Sequence, residues 1–209
     1  MSDAAIVHIV DDDESLREAL SGLFRSVGVE ARTYGSTQAL MDAGLPEGRT
    51  GALVLDVRLP GLSGLDFQAR LESLGIRLPV VLMTGHGDIP MSVRGMKAGA
   101  IDFLEKPFRD QDMLDAVTLA FEKDRQRRRE ETDKRGLEER YETLSPRERQ
   151  VMALVTAGKL NKQVAFDLSL SEITVKIHRG AAMRKMGARS LADLVRMAEA
   201  LGLHAHTSV

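Results

Sequence analysis

Between residues 6 and 104 five short apolar runs recur, separated by apolar residues at helical spacing, and that alternation leaves few folds open. The first run, Ile6–Val10, ends in Asp11-Asp12-Asp13, and runs at 29–34, 52–57, 80–83 and 101–104 follow it. The runs at 52–57 and 80–83 are nearly all apolar, as strands buried on both faces must be. Between the runs, Leu16, Ala19, Leu20, Leu23, Phe24 and Val27 keep a helical period that stops at Gly28. Ser36 opens a short helix to residue 43, while Phe67, Leu71 and Leu74 mark a third. Residues 91–98 form a further helix, and Met113, Leu114, Val117 and Phe121 begin a last one. Five βα units in succession predict an α/β doubly wound parallel sheet, whose functional site lies at the carboxyl ends of its strands.

The remainder has a different character. From Glu122 to Gly136 no apolar side chain exceeds Thr in size, and Asp124/Arg128, Glu130/Lys134 and Glu131/Arg135 are acid-to-base pairs four apart. This stretch reads as a solvated continuation of the last helix, with a flexible charged coil as the alternative. The chain therefore divides into a domain at 1–123, a charged linker at 124–141 and a small all-α domain at 142–209. Charge divides in the same way. Residues 1–123 carry 12 Lys and Arg against 19 Asp and Glu, residues 124–141 carry 7 against 6, and residues 142–209 carry 10 against 6. An acidic first part and a basic last part suggest different partners, nucleic acid being the candidate for the second.

There is no Cys, so disulfides and thiolate metal sites are excluded, and a reducing cytoplasm is the expected location. No leader is read at residues 1–5, and no apolar run is long enough to suggest a membrane span.

The chemistry gathers at the strand ends. The first strand ends at Asp11 and Asp12, the third delivers Asp56, the fourth ends at Thr84-Gly85, and the fifth runs into Lys106-Pro107. On one edge of a parallel sheet, three carboxylates, a hydroxyl and an ammonium should converge. Crowded carboxylates need a cation, and oxygen ligands without Cys or His suit Mg²⁺. A metal and a Lys around a nucleophilic carboxylate are also what phosphoryl transfer needs. Asp13 and Glu14 read as the opening of the first helix rather than as metal ligands. His86 reads as a loop residue, and Asp66 and Asp102 as surface.

The motifs Val10-Asp11-Asp12-Asp13, Leu55-Asp56-Val57-Arg58-Leu59-Pro60-Gly61-Leu62-Ser63-Gly64, Met83-Thr84-Gly85-His86-Gly87-Asp88 and Phe103-Leu104-Glu105-Lys106-Pro107-Phe108 resemble the receiver domains of two-component response regulators. The resemblance covers residues 5 to about 123, with every motif in order. It implies that Asp56 accepts a phosphoryl group from a sensor histidine kinase. It implies too that Asp11, Asp12, Asp56 and the carbonyl of Arg58 hold Mg²⁺, and that Thr84 and Lys106 contact the phosphoryl oxygens. A cis Lys106-Pro107 peptide that aims the ammonium inward is implied as well. Thr84 and Phe103 would form the switch, Phe103 filling the space that Thr84 vacates; a static core Phe is the alternative. The implied output is a homodimer formed through the fourth-helix, fifth-strand and fifth-helix face.

In the basic part, Ser145-Pro146-Arg147-Glu148 is a helix start with cap, N-terminal Pro and capping Glu in place. Val151, Leu154 and Val155 supply that helix's inner face. Asn161 is read as capping a helix at 162–168 with Val164, Ala165 and Leu168 inward, and Ser171 as capping a longer one to Met186. The inner face of the longer helix is assigned to Ile173, Ile177, Ala181 and Met186 or near neighbours. Two helices joined by so short a turn form a helix-turn-helix. The segments Leu144-Ser145-Pro146-Arg147-Glu148-Arg149-Gln150-Val151, Gly158-Lys159-Leu160-Asn161-Lys162-Gln163-Val164-Ala165 and Ser171-Glu172-Ile173-Thr174-Val175-Lys176-Ile177-His178 resemble the quorum-regulator type. Joined to the receiver, the whole chain is similar to the nitrogen-fixation-regulator class. That resemblance implies double-stranded promoter DNA and RNA polymerase as partners. Lys176 and Ile177 would face bases, while Lys162, Thr174, His178, Arg179 and Lys185 would approach phosphates or neighbouring base edges. A last helix with Leu191, Leu194, Val195, Ala198 and Leu201 on one face would join a DNA-bound dimer, unless part of that stripe packs on its own domain.

A regulator is thus expected rather than an enzyme. An Asp-nucleophile phosphatase would carry a second acid two residues after Asp56, where this chain has Arg58. A protein-interaction or RNA-binding output is the other alternative; the missing stacking aromatics argue against RNA.

Overall fold

A computed structural model describes residues 5–45, 49–85 and 89–203. They form two compact units, Met1–Arg128 and Arg129–Val209. In the first, β1 (Ile6–Val10), β2 (Glu30–Tyr34), β3 (Gly51–Asp56), β4 (Val80–Thr84) and β5 (Asp102–Glu105) alternate with α1 (Glu14–Ser26), α2 (Thr37–Ala43), α3 (Gly64–Arg70), α4 (Ile89–Lys97) and the first part, up to Arg128, of α5 (Asp110–Glu142). All pairings are parallel and the strand order is β2-β1-β3-β4-β5, so the doubly wound sheet expected from the alternation is present.

Successive strand residues point to opposite faces, and the core divides accordingly. Val10, Leu53, Leu55 and Leu82 pack with Leu40 of α2 and Leu65 and Phe67 of α3. Val7, Ile9, Ala52, Val54, Val81 and Met83 pack with Leu20 and Phe24 of α1 and Met113, Val117 and Phe121 of α5. Local chemistry sets the helix starts. Asp13 caps α1 by accepting from the backbone N–H of Ser15 and Leu16, and Ser36 caps α2 by accepting from Ala39. His8, buried on β1, shares a hydrogen bond with the Tyr34 hydroxyl at 3.1 Å. Burial, reinforced by Arg32 and Arg49 and opposed by Glu30, lowers its pKa to about 4, so it stands neutral in the core.

The charged stretch read as a linker is helical, lying within α5, but it does not begin as a solvated one. Asp124 is fully buried and belongs to the first unit. Its carboxylate accepts from the Gly51 N–H at 3.0 Å, from Arg127 Nη2 at 2.5 Å and from Arg128 Nε at 2.6 Å. It thereby fixes this part of α5 to the start of β3, and a boundary at residue 123 is too early.

The second unit holds α6 (Pro146–Thr156), α7 (Asn161–Leu168), α8 (Glu172–Met186) and α9 (Leu191–Ala200). Ser145 and Glu148 form the expected capping box, and Ser171 caps α8 by accepting from Thr174 N–H. Two expectations need correction. Asn161 does not cap α7: Leu160 occupies the cap position, and the Gln163 side chain accepts from its N–H at 2.8 Å. The Asn161 side-chain oxygen Oδ1 instead accepts from Arg179 Nη1 at 3.2 Å. The inner face of α8 is Val175, Ala182 and Met186; Ile173 and Ile177 are 71% and 63% exposed. The helix turns its smaller apolar residues onto α6 and α7 and leaves its two isoleucines outside. On α9, Leu194 and Ala198 pack into their own unit, Val195 is half-buried, and Leu191 is exposed.

Removing the Asp124 carboxylate takes from the buried Gly51 N–H its acceptor and from Arg127 and Arg128 one charge-assisted hydrogen bond each, so Asp124→Ala should cost about 3 kcal/mol of first-unit stability in chemical denaturation. The unfolded His8 takes up a proton near pH 6.5 that the folded one refuses until about 4, so its contribution is complete above 6.5 and is lost as pH falls toward 4. His8→Leu should flatten that part of a stability-against-pH profile.

Candidate functional site

The carboxyl edge of the sheet carries the first candidate site. Lys106, directly after β5, donates from Nζ to Asp11 Oδ2 at 2.5 Å and to Asp56 Oδ1 at 2.8 Å. Asp11 is fully buried and Asp56 is 3% exposed. Their remaining oxygens are also bound: Asp11 Oδ1 accepts from the N–H of Asp13 and Asp56 Oδ2 from that of Arg58, each at 2.8 Å. Burial raises the pKa of Asp56, the Lys106 hydrogen bond and charge oppose this, Asp11 raises it again and the Arg58 N–H lowers it; the net direction is up. Burial works to lower the pKa of Lys106, but its hydrogen bonds to Asp11 and Asp56 and their charges prevail and raise it.

Sheet register brings the other expected residues to the same edge. Met83 pairs with Asp56, so Thr84 stands one residue further on, buried, and its carbonyl accepts from the Lys106 N–H at 2.7 Å. The Lys106–Pro107 peptide is cis. Phe103 pairs with Leu82 and is half-buried against the first core cluster. Asp12 is exposed, so two of the three expected carboxylates converge on Lys106 and the third faces solvent. Among the described residues no three His, Cys, Asp or Glu side chains form a metal-holding group. His86 and the rest of its loop at 86–88 lie outside the described residues.

Two supports were not read from the sequence. Arg17 of α1 donates from Nη1 to the carbonyl oxygens of Asp11 at 2.7 Å and Asp12 at 3.0 Å, fixing the acidic loop from behind. The sequence signals it only by placing Arg17 one turn into α1, after the four acids Asp11 to Glu14. Gly64 opens α3 against the Asp56 backbone: a Cβ there would lie 2.1 Å from the Asp56 carbonyl oxygen, so only glycine lets α3 start so close to the site.

The second candidate site is α8. Lys176 and Ile177 stand exposed on it, as does Lys162 on α7. Thr174 is half-buried with its hydroxyl 2.8 Å from that of Ser171; His178 is half-buried, as is Arg179, which reaches Asn161. Lys185 does not join them. Its ammonium donates to Glu148 Oε2 at 2.7 Å and to the Thr143 carbonyl at 3.1 Å, tying α8 to the start of α6. In the DNA-free chain Lys185 is thus engaged within its own unit, with its side chain 40% exposed.

Comparison with known proteins covers both units. Residues 7–118 match the response regulator receiver domain, and residues 142–198 match the bacterial regulatory proteins of the luxR family. Nodulation protein W of Bradyrhizobium diazoefficiens is 57% identical over 205 residues, 98% of this chain and 90% of that protein. The transcriptional regulatory protein FixJ of Rhizobium meliloti is 44% identical over 196 residues, 94% of this chain and 96% of its own. Among solved structures, the response regulator StyR is 44% identical with a TM-score of 0.81, covering 94% of this chain and 98% of that one.

Lys106→Met leaves two buried carboxylates without their cation and should lower stability by about 3 kcal/mol at pH 7. Because the folded pKa of Lys106 is raised, its contribution is complete below its ordinary value of 10.5 and fades as pH rises through the shifted value. Urea titrations of wild type and variant should therefore converge at strongly alkaline pH.

Proposed function

This chain belongs to the two-component response regulators that join a receiver domain to a luxR-family regulatory domain, and from that premise we propose a phosphorylation-controlled transcription switch centred on Asp56. The observation that carries this reading is the convergence of Asp11 and Asp56 on Lys106 at the carboxyl edge of the sheet. A sensor histidine kinase supplies the phosphoryl group, and one oxygen of the Asp56 carboxylate takes it as the donor's bond to phosphorus breaks. Lys106 is already at the attacking carboxylate and neutralises charge on the transferred oxygens; Thr84, at the same edge, contacts them.

Mg²⁺ fits the donor set. Asp11 and Asp56 present carboxylate oxygens only, Asp12 and the Arg58 carbonyl lie on the adjoining loops, and Mg²⁺ is commonly held by one or two carboxylates while keeping several waters. When bound, it would supply charge neutralisation for the transferred group. Arg17 holds the Asp11 and Asp12 carbonyls so that the acidic loop keeps its place.

Phosphorylation adds strong acceptor oxygens and roughly −1.5 to −2 charges to Asp56. Thr84 and Phe103 pass that change to α4, whose Ile89, Val93 and Met96 are 80%, 43% and 46% exposed at helical spacing. The fourth-helix, fifth-strand and fifth-helix face then closes on a second copy. To move a resting population from ~1:99 to ~99:1, phosphorylation must favour the associated form by roughly 5.5 kcal/mol. The paired second units bind promoter DNA, with Lys176 and Ile177 toward bases, and Lys162, Thr174, His178 and Arg179 toward phosphates or base edges. RNA polymerase is the further partner, the cytoplasm the location, and the chain acts as a regulator rather than as an enzyme.

The test is light scattering after gel filtration, with selection from randomised duplex DNA, on wild type and Asp56→Asn with and without acetyl phosphate and Mg²⁺. Wild type should become a dimer and select a sequence only when phosphorylated, and Asp56→Asn should do neither. Equal behaviour of the two proteins under both conditions would remove Asp56 from the switch.

A further inference from the structure

The outward face of α8 has a composition that its own fold does not call for. At 100° per residue, Ile173, Lys176, Ile177, Gly180 and Arg184 fall within roughly a 100° arc opposite the buried Val175, Ala182 and Met186. Ile173 and Ile177 are 71% and 63% exposed. Single exposed apolar residues are ordinary. Two isoleucines one turn apart, with a lysine between them and no acid on the arc, form a surface with a chemical preference. Gly180 continues that surface. A Cβ there would meet nothing closer than Arg184 Nη1 at 3.6 Å, an ordinary contact, so packing within the unit does not require glycine. Its missing side chain keeps the middle of the arc low and open to close approach.

The positive balance of residues 142–209, with exposed Lys162, Lys176 and Arg184 around the two isoleucines, favours a polyanion as occupant. Resting on the DNA-binding reading of this unit and deepening it, we infer that Ile173 and Ile177 read thymine methyl groups in the major groove. An isoleucine side chain cannot hydrogen-bond a base edge, and the one apolar group displayed in the major groove is the thymine C5-methyl. Side chains four apart on a helix stand about 6 Å from each other, roughly two base-pair steps. The two isoleucines therefore address two thymines within about two steps in each half-site. Lys176 between them supplies a hydrogen-bonding contact and Gly180 lets the groove close on the helix. Sequence preference at these two positions comes from methyl burial, and it carries none of the salt dependence of the phosphate contacts.

The experiment uses the full chain, phosphorylated with acetyl phosphate and Mg²⁺, and a duplex selected from a randomised pool. Each thymine of that duplex is replaced in turn by uracil, which removes the methyl group and keeps the hydrogen-bonding edge. Two positions per half-site should each lose about three- to tenfold in affinity, the scale expected for one buried methyl. Ile173→Ala should abolish the loss at one position and Ile177→Ala at the other, with the slope of affinity against salt unchanged. Both side chains are exposed, so neither variant should shift the unfolding midpoint. A selected duplex with no uracil-sensitive position overturns the inference, and so does sensitivity that persists in both variants. It is equally overturned if both variants bind the duplex as wild type does and lose a protein partner instead. Failure of the wild type to select any duplex is a different result: it removes the DNA-binding reading itself.

Discussion

Two carboxylates buried side by side repel one another through a medium that screens poorly, and each also loses the water that would stabilise its charge. In this protein Asp11 and Asp56 tolerate that arrangement because the ammonium of Lys106 stands 2.5 and 2.8 Å from them. Much of the first unit serves that triangle. Parallel pairing brings β1, β3 and β5 to one edge, Arg17 holds the loop that carries Asp11, and Gly64 clears the way for α3 beside Asp56. Burial raises the Asp56 pKa, and the hydrogen bond and charge of Lys106 offset this only in part, so the fold holds the carboxylate charged at some cost.

The second unit solves a different problem with the same economy of residues. A helix that must present one face to an outside surface has only the opposite face for its own core. On α8 that face is Val175, Ala182 and Met186, modest in size but fully buried. An ion pair and a hydrogen bond take up what the small apolar stripe leaves undone: Lys185 is held by Glu148, and Arg140 donates to the Met186 backbone carbonyl at the end of α8. Lys185 thus ties the end of α8 to the start of α6, while Lys176 and Arg184 stand exposed on the same helix.

These distinctions were only partly legible in the sequence. Asp11, Asp56, Thr84 and Lys106 could be placed because each terminates an apolar run, and strand ends in a parallel sheet have a common address. Asp124 could not. It heads a run of charges with four-residue pairing, the pattern of a solvated helix, and what buries it is the Gly51 N–H, 73 residues earlier in the chain. The inner face of α8 departs from the expectation for a related reason. Isoleucine ranks above alanine in apolar character, so a one-dimensional reading assigns Ile173 and Ile177 to the core. The helix phase, however, is set by where α6 and α7 leave room. Asn161 has a capping residue's chemistry, yet Arg179 claims its oxygen. In each case a long-range partner outweighed a sound local rule.

Charge counting links the resting triangle to its use. Asp11, Asp56 and Lys106 together carry about one negative charge, so the site is short of positive charge before any ligand arrives. Converting Asp56 to an acyl phosphate removes its own charge and adds roughly −1.5 to −2, leaving the group at about −1.5 to −2 overall. With Asp12, exposed on the adjoining loop, counted as well, the proposed site carries about −2 at rest and about −2.5 to −3 once phosphorylated. A divalent cation would neutralise the first and leave the second about −0.5 to −1, so under the proposed function the phosphorylated site would draw a cation at least as strongly as the resting one, and Lys106 by itself would not balance it.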